Sequence, residues 1–158
     1  MNKSVSSFNI RVYGLIVKDE AILLSKELIF GKEIYKFPGG GLEFGEGIID
    51  GLKREFNEEM NRQILDVEHF YTTDFFQISQ FNNKEQLISI YYTARLKNNI
   101  ENSSKIPLKN LPVFEWMSLE TLDENKLEFP IDKKVLNMIK TVYRIDWPFK
   151  SEVKTSLK

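Results

Sequence analysis

Gly40–Arg62 reads GGLEFGEGIIDGLKREFNEEMNR, a glycine-rich start that runs into a stretch of helical periodicity. At about 100° per residue, Ile49, Leu52, Phe56 and Met60 fall within a sector of about 80°, a packing stripe. Glu55, Glu58 and Glu59 cluster beside it, roughly 110° from its centre, so one helix both packs and displays carboxylates. Like charges three or four positions apart weaken a helix by about 0.2–0.5 kcal/mol per pair. Glu55 with Glu58 and Glu55 with Glu59 therefore call for a neutralising group, and a divalent cation that prefers oxygen ligands would supply it. The bland alternative is a solvated acidic face balanced by Lys53 and Arg54.

The spacing has a counterpart among known families. Gly40, five residues, Glu46, seven residues, then Arg54-Glu55-Phe56, Asn57 and Glu58-Glu59 resembles the Nudix box of the MutT-like Nudix hydrolases. That box ends in a glycine and an apolar residue, where this chain has Asn61 and Arg62. Asparagine is the next most tolerant residue for a left-handed helix C-cap, so Asn61 is expected at positive φ. Ile64, two residues beyond Arg62 and on the same strand face, is expected to take the apolar place. Gly51 costs the helix about 1 kcal/mol relative to alanine and is expected to leave open space beside the carboxylates.

Composition sets the wider frame. The chain has 158 residues, 42% hydrophobic and 28% charged, with a net charge of −1 and no cysteine. One domain spanning 1–158, with a core from about 8 to 140, is the expected organisation. Near-neutral charge argues against nucleic acid or a membrane surface as partner. Without cysteine there is no disulfide framework, thiolate metal site or cysteine nucleophile. The first residues lack the apolar core of a signal peptide and no apolar run is long enough to cross a bilayer, so a cytoplasmic protein is expected.

Phe8 to Lys18 and Ala21 to Ser25 read as a hairpin around Lys18-Asp19-Glu20. Gly31 and Gly39 punctuate the approach to the box helix, which is expected from Glu46 or Gly47 to Met60. Val67 to Ile78 and Leu87 to Leu96 read as antiparallel strands joined by a polar turn, with a loop from Asn98 to Asn110. Val113 to Met117 reads as a short strand, Ser118 as an N-cap for Leu119 to Leu122, and Pro130 as the first turn of a second helix.

The resemblance implies an α/β fold, the Nudix-type α/β/α sandwich around a mixed β-sheet. It also implies hydrolysis of acid anhydrides in phosphorus-containing compounds: a metal-dependent pyrophosphohydrolase that cuts the diphosphate bridge of a nucleoside diphosphate linked to another moiety. Magnesium or manganese would be held by Glu55, Glu58, Glu59 and the carbonyl of Gly39. Glu58 would act as base, Glu55 as a further catalytic carboxylate, and Arg54 would orient Glu55 or Glu58 through a bidentate contact. Glu46 would steady the loop or helix start. Glu101, and less so Glu85, sit where a loop could bring in another carboxylate.

Other residues carry weaker signals. Phe37, Tyr13 and Tyr35 read as core or wall packing before base stacking, and His69 as an ordinary strand residue. Members of the family it resembles that act on ADP-ribose often carry a proline beyond the box, and here no proline lies between Pro38 and Pro107, so the resemblance disfavours ADP-ribose and leaves nucleoside triphosphates as the least committed substrate. Two other readings stand beside this one: a Nudix-fold nucleotide-binding or regulatory domain without turnover, suggested by Asn61 and Arg62, and a metal-binding protein without nucleotide. A homodimer is left open.

Overall fold

Asp19 and Glu20 both adopt positive φ, the backbone that a tight two-residue hairpin turn demands. They join β1 (Ser7–Lys18) to β2 (Ala21–Ile29). The computed structural model describes residues 5–98 and 111–146. The expected hairpin forms, yet its strands pair only at Val17 with Ile22 and Lys18 with Ala21. Further from the turn, β1 runs parallel to β6 (Glu85–Leu96), from Ser7 opposite Glu85 to Ile16 opposite Ala94. In contrast, β2 pairs antiparallel with β3 (Lys32–Lys36) and β7 (Val113–Ser118).

Two strands are additions to the sequence reading. One is β3, and the other is β4 (Gly39–Gly41), which lies antiparallel to β1 with Tyr13 opposite Gly39. The glycines are thus strand residues rather than a free loop. Gly39 sits at φ +145°, and a Cβ there would stand 2.1 Å from the Val12 carbonyl oxygen, so no other residue fits the pairing.

The strand expected from Val67 to Ile78 is displaced. The observed β5 spans Ile64–Thr72 and pairs antiparallel with β6 through two register shifts. Beyond it the regular strand ends, although Thr73 N–H still bonds to Ser89 O on β6, and the Tyr71 hydroxyl bonds to Asp74 Oδ1. The expected antiparallel pairing then continues as single links, Leu87 N–H to Gln77 O and an isolated bridge from Ile78 to Gln86. After Ser118 a single turn forms, closed by Leu122 N–H to Ser118 O, in place of a capped helix.

The sheet order is β3-β2-β1-β6-β5, with β4 on β1 and β7 on β2. Its β1 alternates as a two-sided strand must. Val12 and Ile16 join Leu52 and Phe56 of α1 (Ile48–Met60) on one face. Tyr13 and Leu15 join Ile131, Val135, Leu136 and Ile139 of α2 (Pro130–Asp146) on the other. An α/β/α sandwich around a mixed sheet results, as expected. Close contact of α1 depends on Gly14, where a Cβ would meet the Phe56 ring at 2.6 Å.

Candidate active site

The box helix begins at Ile48, with Gly47 as N-cap, and ends at Met60. Of its apolar stripe, Leu52 and Phe56 are fully buried, Met60 packs against them, and Ile49 stays exposed. Asn61 closes the helix at φ 51°, ψ 48°, its N–H bonded to Asn57 O. The left-handed C-cap is therefore present without glycine. Ile64 is buried in the same cluster as Leu52 and Phe56, so it fills the apolar place that Arg62 leaves.

Gly51 differs from expectation. A Cβ there would stand 2.8 Å from both Glu46 Oε1 and Leu42 Cδ1, so the glycine admits the Glu46 carboxylate and leaves no open space. Through that approach Glu46 reaches Arg54, whose Nε donates to Glu46 Oε2 at 2.9 Å and whose Nη2 donates to Oε1 at 2.7 Å. The bidentate partner of Arg54 is thus Glu46, not Glu55 or Glu58. The arginine still ties both of those: Nη1 donates to Glu55 Oε1 at 2.9 Å and to Glu58 Oε2 at 3.1 Å, while Nη2 also meets Gly41 O at 2.9 Å. Its charge relieves the repulsion that the helix sequence implied.

Electrostatics divide the carboxylates. Hydrogen bonds from Arg54 and from the Glu43 N–H hold the Glu46 carboxyl down at about 2. Burial pushes Glu59 up to about 7, opposed by Lys36 and reinforced by Glu55 and Glu27. Glu59 Oε2 is buried without a hydrogen-bond partner, an unfavourable state for a carboxylate unless a cation joins it. Among the described residues, no three Asp, Glu or His side chains converge as a metal cluster. Glu55 and Glu58 point to Arg54, and the Gly39 carbonyl accepts from Lys36 Nζ at 3.1 Å.

Lys36, which sequence reasoning passed over, is 3% exposed and ion-paired to Glu27 at 2.8 Å. Burial opposes its charge, but Tyr13 and Glu27 raise its pKa above the usual value. A period-two reading from buried Ile34 would have flagged it as an inward-facing charge. Lys36, Glu27, Arg11 and Tyr13 line a cavity of about 350 Å³ on the α2 face of the sheet. Arg11 Nε donates to the Tyr13 hydroxyl at 2.7 Å, and Glu55 and Glu27 favour its charged form. Cations of the cavity floor therefore feel the box carboxylates.

The donor set fits a hard divalent cation, being all oxygen, with one buried oxygen lacking a partner. Gly40 adds a steric cradle: a Cβ there would stand 2.5 Å from the Glu55 carboxylate. Other candidates fall outside. Glu101 lies outside the described residues. Glu85 opens β6 rather than a loop and accepts from Asn9 Nδ2 at 3.0 Å. His69 is a strand residue paired with Thr72 Oγ1 at 2.8 Å. Phe37 is buried in the core, Tyr13 is buried where the core meets the cavity, and half-buried Tyr35 donates to Glu115.

Comparison with known proteins agrees with the fold. The chain is 32% identical over 81 residues to the 8-oxo-dGTP diphosphatase of Buchnera aphidicola subsp. Acyrthosiphon pisum (strain APS), a match covering 48% of this chain and 60% of that relative. Its fold is similar to a NUDIX hydrolase from Nitrosomonas europaea, with a TM-score of 0.66 at 20% identity, covering 82% of this chain and 86% of the other. It is also similar to the MutT NUDIX hydrolase from Burkholderia pseudomallei, with a TM-score of 0.66 at 17% identity over 85% and 98% of the two chains. No helix among the described residues is long and apolar enough to cross a membrane. A family model for the NUDIX domain matches residues 8–139, and with the box helix, its glycine strand and the sandwich in place, the chain belongs to the NUDIX domain family.

Proposed function

We propose that this chain is a metal-dependent pyrophosphohydrolase that cleaves the diphosphate bridge of a nucleoside diphosphate linked to another moiety, with nucleoside triphosphates as the leading substrate class. The observation that carries the reading is the junction of two unlike surfaces. Carboxylates of α1, one with a buried unpartnered oxygen, lie close enough to a cavity lined by Arg11 and Lys36 for Glu55 to favour the charge of Arg11 and Glu59 that of Lys36. Similarity to a protein named 8-oxo-dGTP diphosphatase supports the nucleotide part.

Glu55, Glu58, Glu59 and the Gly39 carbonyl would hold magnesium or manganese. Such an ion, when bound, neutralises phosphate charge and acidifies water. Arg11 and Lys36 bind the anionic phosphates from the cavity side. Glu58, the most exposed of the three glutamates on its helix, accepts the proton of the attacking water in exchange for its contact with Arg54. Arg54 keeps Glu55 and Glu58 in register while Glu46 holds Arg54.

Asn61 and Arg62 lend little to a reading without turnover. Asn61 adopts the required backbone and Ile64 supplies the apolar contact. A cytoplasmic setting fits a cysteine-free chain acting on nucleotides.

Product release from a panel of nucleoside triphosphates and nucleoside diphosphate derivatives, with magnesium and with EDTA, tests the proposal. Turnover that needs the metal and is lost in Glu58→Gln is the expected result. Equal rates in EDTA and in magnesium, or no hydrolysis of any member, would reject it.

A further inference from the structure

Phe30 stands where folding gives no reason for an aromatic. Strands β2 and β3 are joined by Phe30-Gly31, both at positive φ, 49° and 78°, a turn best served by Asn-Gly. A bulky side chain is disfavoured there, and Phe30 is 92% exposed, so burial gains little in return. Its ring nevertheless faces the cavity, 6.0 Å from Phe81 at a 41° tilt, and Phe81 meets Phe129 edge-on at 5.9 Å. Phe81 is itself held on an ordered turn by its N–H bond to Ser79 Oγ and by the Ser79 N–H bond to Glu85 O.

Between this aromatic rim and the cationic floor lies a second unexplained group. Gln77 lines the same cavity, and its Oε1 is buried without a hydrogen-bond partner. A buried acceptor left open in this way favours a donor on the ligand. The β6 register sets the order, with Ser79 beside Phe81 bonded to Glu85, Gln77 bonded to Leu87, and Arg11 opposite Ser89, so aromatic faces, an acceptor and then cations follow one another along the cavity. That order matches the base, base edge and phosphates of one nucleotide.

Resting on the nucleotide reading above, we propose that Phe30 and Phe81 take the substrate's nucleobase by stacking and that Gln77 Oε1 accepts an N–H from its edge. Phe30 is then a specificity residue kept at the expense of an ideal turn. Aromatic faces accept any base, so stacking gives affinity. Gln77 gives selection, because a base without an N–H on that edge leaves the acceptor open.

The test is calorimetric binding of purine and pyrimidine nucleoside 5′-monophosphates, with ribose 5-phosphate as the base-free control. The wild-type chain should bind at least one nucleotide about ten-fold more tightly than the control, in keeping with the strength of base–aromatic stacking. Phe30→Asn should remove most of that preference while the melting temperature holds or rises, since asparagine suits the turn. Phe81→Leu should weaken the preference without touching the turn, and Gln77→Leu should weaken it for bases with an N–H. The inference is overturned if the wild type binds nucleotides no better than the control, or if Phe30→Asn keeps the preference. A fall in the melting temperature of Phe30→Asn would also overturn it, by showing a structural role. Preference without turnover would reject the hydrolase and keep the aromatic rim. Turnover without preference would do the reverse.

Discussion

Arg54 and Glu46, eight residues apart on opposite sides of the helix start, meet through two parallel hydrogen bonds of 2.9 and 2.7 Å. Planar guanidinium and carboxylate groups suit that geometry as an ammonium does not. The same arginine reaches Glu55, Glu58 and the Gly41 carbonyl, so one side chain sets the position of the acidic helix against the glycine strand.

Arg54→Lys should accordingly reduce kcat by about ten- to a hundred-fold, the scale expected when reacting groups lose alignment. Circular dichroism should show an intact fold. Because Glu46 is held down at about 2 against an ordinary 4.5, its stabilising contribution is full above pH 4.5 and is lost as pH falls toward 2. Glu46→Gln should flatten the melting temperature across that window. An unchanged slope would remove Glu46 from the network.

Glu55 and Glu59 should respond oppositely to neutralisation. Glu55 accepts from Arg54, whereas Glu59 buries an unpartnered oxygen. At pH 8 without added metal, Glu59→Gln should raise the melting temperature by about 2–4 °C, equivalent to about 1 kcal/mol in a chain of this size. Glu55→Gln should lower it. Magnesium should stabilise the wild type by binding the folded state and should have little effect on either variant. A full magnesium increment in both variants would exclude them as ligands.

Asp132 gives a pH response away from the box. Its carboxyl is buried, accepts from the Tyr91 hydroxyl at 2.6 Å and is pushed up to about 6 by burial, against an ordinary 3.8. As pH rises from 3.8 the unfolded chain releases its proton first, so stability declines until about pH 6. The loss corresponds to up to about 3 kcal/mol. Thermal melts of Asp132→Asn from pH 4 to pH 6, about the span of that shift, should lack the decline attributable to this carboxyl. A parallel decline in wild type and variant would assign the dependence to other groups.

Asn61→Gly should be neutral or stabilising by up to about 1 kcal/mol, because φ 51° suits glycine better than asparagine. Asn61→Val should cost at least about 1 kcal/mol for the same reason. Urea denaturation measures both. Activity lost in Asn61→Gly at unchanged stability would show that the asparagine side chain joins the site.

Much of this molecule follows from local chemistry in its sequence. The box helix, its apolar stripe, the left-handed turn at Asn61 and the substitution of Ile64 for Arg62 all follow from spacing over a few residues, where helix and strand periodicity act directly. Long-range pairing was not legible in that way. Nothing in Gly39-Gly40-Gly41 announces a strand until β1 lies beside it, and nothing near Arg54 selects Glu46 over Glu55 until Gly51 admits the Glu46 carboxylate. Lys36 became a cavity-floor cation only because β3 turned it inward toward Glu27 and the Gly39 carbonyl. Such contacts depend on strand register and on which faces the two helices cover, properties of the whole packed chain that no short window of sequence contains.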